Sequence, residues 1–170
     1  VVAISKDINL AISTDAHVVS PLVYPGGDIG KLAVCGTVND LAMVGAKPLY
    51  LTASFILEEG LEISLLESLM ESMKNAAEEA GVEIISGDTK VVSRGEADGL
   101  YISTAGVGLL DRDLHIGGSR ACPGDLVILS GTMGDHGISI LEARGELGFK
   151  TNLQSDTAPL NHLVADMLDA

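Results

Sequence analysis

Strands and helices are predicted to alternate along this sequence, which indicates a mixed α/β fold. Residues 8–13 and 49–57 alternate apolar with small or polar side chains, a pattern typical of strands with one buried face. Between them, residues 29–44 are almost all apolar or very small, which predicts a helix enclosed on most sides. Residues 64–80 have helical periodicity. With 170 residues, 46% of them hydrophobic, the chain is long enough for one ordinary domain, or for one domain and part of another.

A glycine turn precedes the helix predicted at residues 29–44. Gly26 and Gly27 allow backbone angles that other residues avoid, and Asp28 is well suited to cap the helix. The start of such a helix carries partial positive charge, so the turn, together with Lys31, could bind an anion such as a phosphate. An ordinary capped helix is the alternative interpretation.

One helix and two strands follow the strand at residues 49–57. The helix opens with Ser64 and Glu67 in a capping-box pattern and is followed by Gly81, a typical stop signal. A short apolar strand at residues 82–86 is predicted to end at the sequence Gly-Asp-Thr-Lys. A strand that contains glycine is expected at residues 100–108.

The glycine-rich and proline-rich stretch at residues 112–124 predicts a linker. We therefore divide the chain into a first domain at residues 1–118 and the start of a second domain at residues 119–170. Neither end carries a clear boundary signal, so the natural protein is expected to begin earlier and to continue further. The second domain is expected to hold a strand, a glycine-rich loop and two helices, at residues 125–130, 131–137, 138–147 and 157–170.

Three carboxylates are candidate metal ligands. Asp15 and Asp88 are predicted at the ends of strands, and Asp40 lies next to Asn39 in the enclosed helix, where a carboxylate needs a cation or hydrogen-bond donors. Proteins usually hold Mg²⁺ by one or two carboxylates together with substrate phosphates, so these residues suit a site for Mg²⁺ and a nucleotide. Lys90 could neutralise phosphate oxygens there. For a single strand-end aspartate, capping of a turn is the alternative.

The composition argues against several classes of function. The formal net charge is −14 and no basic stripe is present, so nucleic-acid binding is not expected. No charge-free run of about 18 apolar residues predicts a membrane span. Cys35 and Cys122 form neither a metal-binding spacing nor a disulfide framework, which favours a reducing cytoplasm. The glycine-rich loop at residues 131–137 matches no Walker A or dinucleotide fingerprint, and the histidines have no paired spacing.

Five long segments carry a family resemblance: STDAHVVSP, PGGDIGKLAVCGTVNDLAMVGAKP, SFILEEG, SGDTKVV and PGDLVILSGTMGDHG. In this order they resemble the N-terminal part of the HypE family of hydrogenase maturation factors. That family is part of the aminoimidazole ribonucleotide synthetase-like (PurM-like) group of ATP-using enzymes. The resemblance covers nearly the whole chain.

The resemblance implies an α/β (α+β) domain of the PurM-like type, with a mixed or antiparallel sheet backed by helices. Two copies would pair their sheets into a barrel, and the semi-polar face of residues 49–57 is a candidate for that contact. ATP and Mg²⁺ would bind near the subunit junction, with Asp15, Asp40 and Asp88 as metal ligands and Lys90 as the catalytic lysine. The nucleotide-binding positions are predicted to be Gly26, Gly27, Lys31, Asn39, Asp40, Asp88 and Thr89.

The activity implied by the resemblance is an ATP-dependent dehydration. A carbamoyl group that HypF delivers to a C-terminal cysteine thiol is activated by ATP at its oxygen, then loses phosphate to leave a thiocyanate. HypC and HypD pass the cyano group on to the iron of nickel–iron hydrogenases. The family's glycine-rich N-terminal segment, most of its second domain and its cysteine tail are absent from this sequence, so we expect this polypeptide alone not to complete the reaction.

Two other classes of function remain open at this point. One is another PurM-like ATP-using enzyme, such as a selenophosphate synthetase or a thiamine-monophosphate kinase. The other is an inactive module that dimerises and docks partners.

Overall fold

The computed structural model describes residues 1–6, 8–110, 114, 116–146, 148 and 150–170. Its elements in chain order are β1 (Val2–Ala3), β2 (Asn9–His17), β3 (Val23–Tyr24), β4 (Gly27–Asp28), α1 (Ile29–Met43), β5 (Lys47–Glu58), α2 (Ile63–Ala80), β6 (Glu83–Val92), β7 (Leu100–Leu110), a short 3₁₀ helix (Gly118–Arg120), α3 (Asp135–Ala143) and α4 (Asn161–Asp169). Arg112 and Leu147, which bound the predicted linker and one predicted helix, lie outside the described residues, as does His115.

Five strands form one mixed sheet in the order β1-β2-β7-β5-β6. Neighbouring strands are antiparallel except β5 and β6, which run parallel because α2 carries the chain back between them. Strands β3 and β4 form a separate small hairpin. The prediction of a mixed sheet backed by helices is confirmed, whereas its pairing with a second copy stays a prediction.

The two sides of the sheet differ in what covers them. On the helix-facing side, residues such as Leu51 and Ile102 are buried beneath α1 and α2. The open side carries the alternate residues of the same strands, including Ile12, Tyr50 and Ile56, which are exposed. Because side chains alternate along a strand, each strand of the sheet contributes to both sides. The semi-polar face of β5 is therefore exposed in one copy, and its contact with a second copy stays a prediction.

The cap and the burial of helix α1 agree with the predictions from its sequence. Asp28 is its N-cap and accepts a hydrogen bond from the amide of Lys31 at 2.9 Å. Nine of its residues are buried, which confirms the prediction of an enclosed helix. A Cβ added to Gly30 would lie only 2.4 Å from the carbonyl oxygen of Leu69, so this glycine lets α1 and α2 approach closely.

The boundaries of α2 confirm one predicted signal and correct another. Gly81 ends the helix in the left-handed conformation, as expected. The capping box at Ser64 is wrong, because the helix begins at Ile63 and its N-cap, Glu62, makes no side-chain hydrogen bond. Ser64 is thus already inside the first turn, where its backbone angles are helical.

Asp15 and Asp88 were both expected at the ends of strands, and both lie inside longer strands. Strand β2 continues past Asp15 to His17, and β6 runs from Glu83 through Asp88 to Val92. The physical reason for β6 is its parallel pairing with β5 from Tyr50 to Glu58, which supplies hydrogen bonds along the whole stretch. Long-range pairing overrides the local turn signal of the glycine and polar residues.

The second half of the chain departs most from the predictions. The strand expected at residues 125–130 is wrong: the structure has no regular element there, and residues such as Val127 are exposed. An apolar run forms a strand only when another strand pairs with it, and no described residue does so. Helices α3 and α4 are present, but α3 begins earlier and α4 later than predicted. Within the described residues, no helix has the length and apolar character needed to cross a membrane.

Candidate functional site

Asp15 and Asp40 are neighbours on the helix-facing side, where β2 contacts α1. The hydroxyl of Ser13 on β2 donates to Asp40 Oδ2 at 2.7 Å. A Cβ added to Gly36, one helical turn before Asp40, would lie 3.2 Å from Asp15 Oδ2. Residues two apart share a strand face and residues four apart share a helix face, so the two carboxylates are close to each other.

Both carboxylates of this pair can reach solvent. The side chain of Asp15 is 44% exposed, and Asp40 is also exposed at the rim of α1. The expectation that Asp40 is enclosed is therefore wrong. The enclosed residues of α1 face the sheet and α2, while Asp40 lies at the edge of this contact. Each carboxylate is therefore accessible to a cation from solvent.

A buried polar cluster lies next to Asp15 on the helix-facing side of the sheet. His17 is only 5% exposed, and its Nε2 lies 3.2 Å from Thr104 Oγ1 and 3.6 Å from Asp15 Oδ2. The hydroxyls of Thr104 and Thr37 lie 2.6 Å apart. Burial lowers the pKa of His17, while the nearby carboxylates of Asp15 and Asp40 act in the opposite direction. The cluster fixes the strand on which Asp15 lies.

Most of this support carries no motif in the sequence. The histidines have no paired spacing, which favours a core or solvent role, and His17 is indeed buried, whereas no motif in the sequence singles out Ser13, Thr37 or Thr104. One signal was available, because Ser13 and His17 lie two residues to either side of Asp15 and share its strand face. The contribution of Thr104 could not be read locally, since it comes from β7, far along the chain.

Asp88 and Lys90 lie on the open side, away from this pair. In the strand register Asp88 is opposite Ser54, and Ser54 is opposite Ser103, which places them in one exposed row. Asp15 belongs to the row of Thr104 on the helix-facing side. Three strand spacings, about 14 Å, separate β2 from β6 in addition to the change of side. A single copy does not bring Asp88 to Asp15 and Asp40.

The donor set of one copy fits a magnesium site only in part. Among the described residues, no group of three or more His, Cys, Asp or Glu side chains could hold a metal ion. Asp15 and Asp40 alone still fit the pattern in which one or two carboxylates act together with substrate phosphates. The expected meeting of all three carboxylates is not found within one copy.

Lys31 lies on the other face of α1 from Asp40. The two are nine residues apart, which is about 13 Å along the helix and half a turn around it. Lys31 lines an open groove of about 520 Å³ between α1 and α2, together with Glu71 and Glu79. The negative charges of Glu71 and Glu79 would repel a phosphate, so this groove is poorly suited to bind one.

The glycine turn at residues 25–27 is covered by a later part of the chain. Gly26 has a φ of +88°, which confirms the need for glycine. A Cβ there would lie 2.6 Å from the amide nitrogen of Ser155, and that amide donates to the carbonyl of Pro25 at 2.8 Å. Gly27 pairs with Tyr24 in the β3–β4 hairpin.

Asn39 is also engaged by a later part of the chain. Its Nδ2 donates to the carbonyl of Ala158 at 2.9 Å, and its Oδ1 accepts from the amide of Leu160 at 2.7 Å. Thr89, the last of the predicted nucleotide-binding residues, is exposed on β6 opposite Phe55. The predicted residues thus form one close pair, Asp15 and Asp40, and several separate positions.

Comparisons with known proteins agree on one group of relatives. A family model described as "AIR synthase related protein, N-terminal domain" matches residues 1–110. A carbamoyl dehydratase HypE from Cupriavidus necator is 56% identical over 166 residues, 98% of this chain and 47% of that protein. The chain is also similar to two solved structures.

One is a crystal structure of HypE in complex with ATP, which has a TM-score of 0.89 and 52% identity and covers 94% of this chain and 48% of that one. The other is a crystal structure of a HypE–HypF complex, with a TM-score of 0.91, 50% identity, and coverage of 98% and 54%. The chain spans about half the length of the relatives it matches.

Proposed function

The chain belongs to the AIR synthase related family, and we propose that it serves the ATP-dependent carbamoyl dehydratase reaction of HypE-type proteins. The identity of 56% to a carbamoyl dehydratase supports this assignment. The observation that carries it in the structure is the solvent-accessible pair of Asp15 and Asp40 on a supported strand and helix. Because the HypE proteins are 50–56% identical to the chain, whereas a structurally similar thiamine-monophosphate kinase is 22% identical, the selenophosphate synthetase and thiamine-monophosphate kinase alternatives are not favoured.

The proposed reaction converts a cysteine S-carboxamide and ATP into a cysteine thiocyanate, ADP and phosphate. The carbamoyl oxygen leaves with the transferred phosphoryl group, and the nitrogen gives up both of its protons. Bound Mg²⁺ would neutralise phosphate charge. Asp15 and Asp40 would hold the cation and so orient the nucleotide, while Ser13 and the polar cluster at His17 keep the two carboxylates in place.

A second copy of the chain is proposed to complete the site. Asp88 and Lys90 lie on the open side of the sheet, where exposed apolar residues such as Tyr50 and Ile56 are available for contact with another copy. In this arrangement Asp88 would be the third acidic ligand, and Lys90 would neutralise charge on the group that is transferred. Thr89, next to Asp88 on β6, would contact the nucleotide beyond its metal.

The partners follow from the same assignment. HypF would supply the carbamoyl group, as a HypE–HypF complex has been crystallised. HypC and HypD would accept the cyano group, and the reaction would take place in the cytoplasm. These partners and this location are part of the proposal.

Titration of Mg·ATP into the protein and its Asp40→Asn variant tests the proposed site. We expect the variant to lose about tenfold or more in affinity, because a neutral amide replaces a charged ligand. Asp166→Asn is a matched control, since Asp166 is also an exposed aspartate on a helix. Equal affinity of Asp40→Asn and the parent would remove Asp40 from the site.

The inactive docking module gives a different result in a simple experiment. A dimer whose melting temperature does not respond to Mg·ATP would support the module and contradict the enzyme. A rise in melting temperature with Mg·ATP would support the nucleotide site, because a ligand that binds only the folded state stabilises it.

A further inference from the structure

The amide of Asn39 holds two backbone groups of a distant segment, residues 158–160. Its Nδ2 donates to the Ala158 carbonyl at 2.9 Å and its Oδ1 accepts from the Leu160 amide at 2.7 Å. A carbonyl can only accept and an amide N–H can only donate, so the orientation of the Asn39 side chain is fixed by its partners. Both ends of the side-chain amide are therefore engaged.

Residues on either side of this segment are also attached to the first part of the chain. Before the segment, the amide of Ser155 donates to the Pro25 carbonyl at 2.8 Å. After it, Asn161 Nδ2 donates to the carbonyl of Ala80, in the last turn of α2, at 2.9 Å. Asn39 lies between these two attachments, at the point where α4 begins.

The start of α4 needs such a partner. Leu160 is the N-cap of α4, and the first amides of a helix have no carbonyl within the helix to bond. The amide of Leu160 is one of these groups, and it donates to Asn39 Oδ1. The bond is a part-buried contact between residues far apart in sequence, so it fixes tertiary structure.

We propose that Asn39 is a positioning residue that clamps residues 158–160 to α1, and that it is not a ligand of the nucleotide. The Ala158 carbonyl and the Leu160 amide use one N–H and one lone pair of this side chain and fix its orientation toward the segment. The next residue, Asp40, shares the α1 backbone with Asn39. The clamp thus holds the second part of the chain in a fixed place beside the proposed metal ligand, a consequence that rests on the proposed function.

Hydrogen exchange at the Leu160 amide, measured without nucleotide, tests the clamp directly. In Asn39→Ala we expect this amide to exchange about tenfold faster, the effect of losing one hydrogen bond. Amides in the middle of α1 should keep their rates, which shows that the protein remains folded. Asn75→Ala is the matched control, because Asn75 is an exposed asparagine on α2.

A second variant separates the hydrogen bonds from the loss of side-chain volume. Asn39→Leu keeps the approximate volume of the side chain but has neither the donor for the Ala158 carbonyl nor the acceptor for the Leu160 amide. We expect exchange at Leu160 to rise in this variant as well. An unchanged rate at Leu160 in both variants would overturn the clamp.

Mg·ATP affinity distinguishes a positioning role from a ligand role. A clamp predicts that Asn39→Ala binds Mg·ATP within about threefold of the parent, because the substitution removes no contact to the nucleotide. A loss of affinity of about tenfold with unchanged Leu160 exchange would instead make Asn39 a ligand. If the parent binds no Mg·ATP, the proposed function fails, whereas exchange at Leu160 still decides on the clamp.

Discussion

The helix-facing and open sides of the sheet differ in how much of a site each one holds in a single copy. On the helix-facing side, Asp40 accepts from Ser13, and Asp15 lies on a strand that His17 and Thr104 support. On the open side, the side chains of Asp88 and Lys90 form no hydrogen bond or ion pair with any residue that the structure describes. Folding alone therefore positions the first pair of charged residues, whereas the second pair depends on whatever covers the open side.

This difference has a consequence for mutations. A substitution on the helix-facing side should mainly lower the free energy of unfolding, because the side chains there pack against α1 and α2. A change on the open side should leave stability nearly unaltered and act on assembly or activity. Pairs of similar substitutions, one at a closely packed or hydrogen-bonded position and one at an exposed position, test this expectation.

Gly30→Ala should give the largest loss of stability. The new Cβ would meet the backbone oxygen of Leu69 at 2.4 Å, so α1 and α2 must move apart over a fully buried contact. We expect a loss of about 3 kcal/mol in the free energy of unfolding, the upper range for overpacking. Urea denaturation of the variant measures it.

Gly117→Ala is the control for this substitution. A Cβ at Gly117 meets nothing within 4 Å. We expect the free energy of unfolding to change by less than about 0.5 kcal/mol. Equal effects of the two substitutions would contradict the close α1–α2 contact.

Thr104→Val and Ser103→Ala compare the two sides of one strand at adjacent positions. Thr104 is buried and its hydroxyl interacts with both His17 and Thr37, so its removal leaves buried polar groups without a partner. We expect a loss of about 2 kcal/mol in the free energy of unfolding. Ser103 is exposed on the open side, and we expect its substitution to cost at most about 0.5 kcal/mol. Thermal and urea unfolding of both variants would detect the difference, and similar losses would show that the two sides are not distinct.

The elements that could be predicted from sequence are those with local signals. The N-cap at Asp28 and the helix end at Gly81 depend on neighbouring residues. The apolar and small residues of α1 likewise predict that it is enclosed. The positions of Asp15 and Asp88 within their strands depend on pairing with β7 and β5, which no local pattern reveals.

The candidate site was predictable in its residue types but not in its geometry. The exposure of Asp40 depends on how α1 is rotated against β2, and one-dimensional periodicity in an almost uniformly apolar helix leaves that rotation open. Likewise, the partners of Asn39 lie about 120 residues away in the chain. Hydrogen bonds between residues so far apart in sequence depend on the whole fold, so no local pattern predicts them.

Asp28 and Asp88 provide the comparison with the smallest expected effect, between a carboxylate with a known local partner and one without. Asp28→Ala removes the acceptor for the Lys31 amide at the start of α1, and we expect a loss of about 1 kcal/mol in the free energy of unfolding. Asp88→Ala, on the exposed β6, should change it by less than about 0.5 kcal/mol. If urea denaturation shows that Asp88→Ala costs as much as Asp28→Ala in the monomer, then Asp88 has a structural partner within its own copy. The open side would then be as complete as the helix-facing side, and a second copy would not be needed to position Asp88.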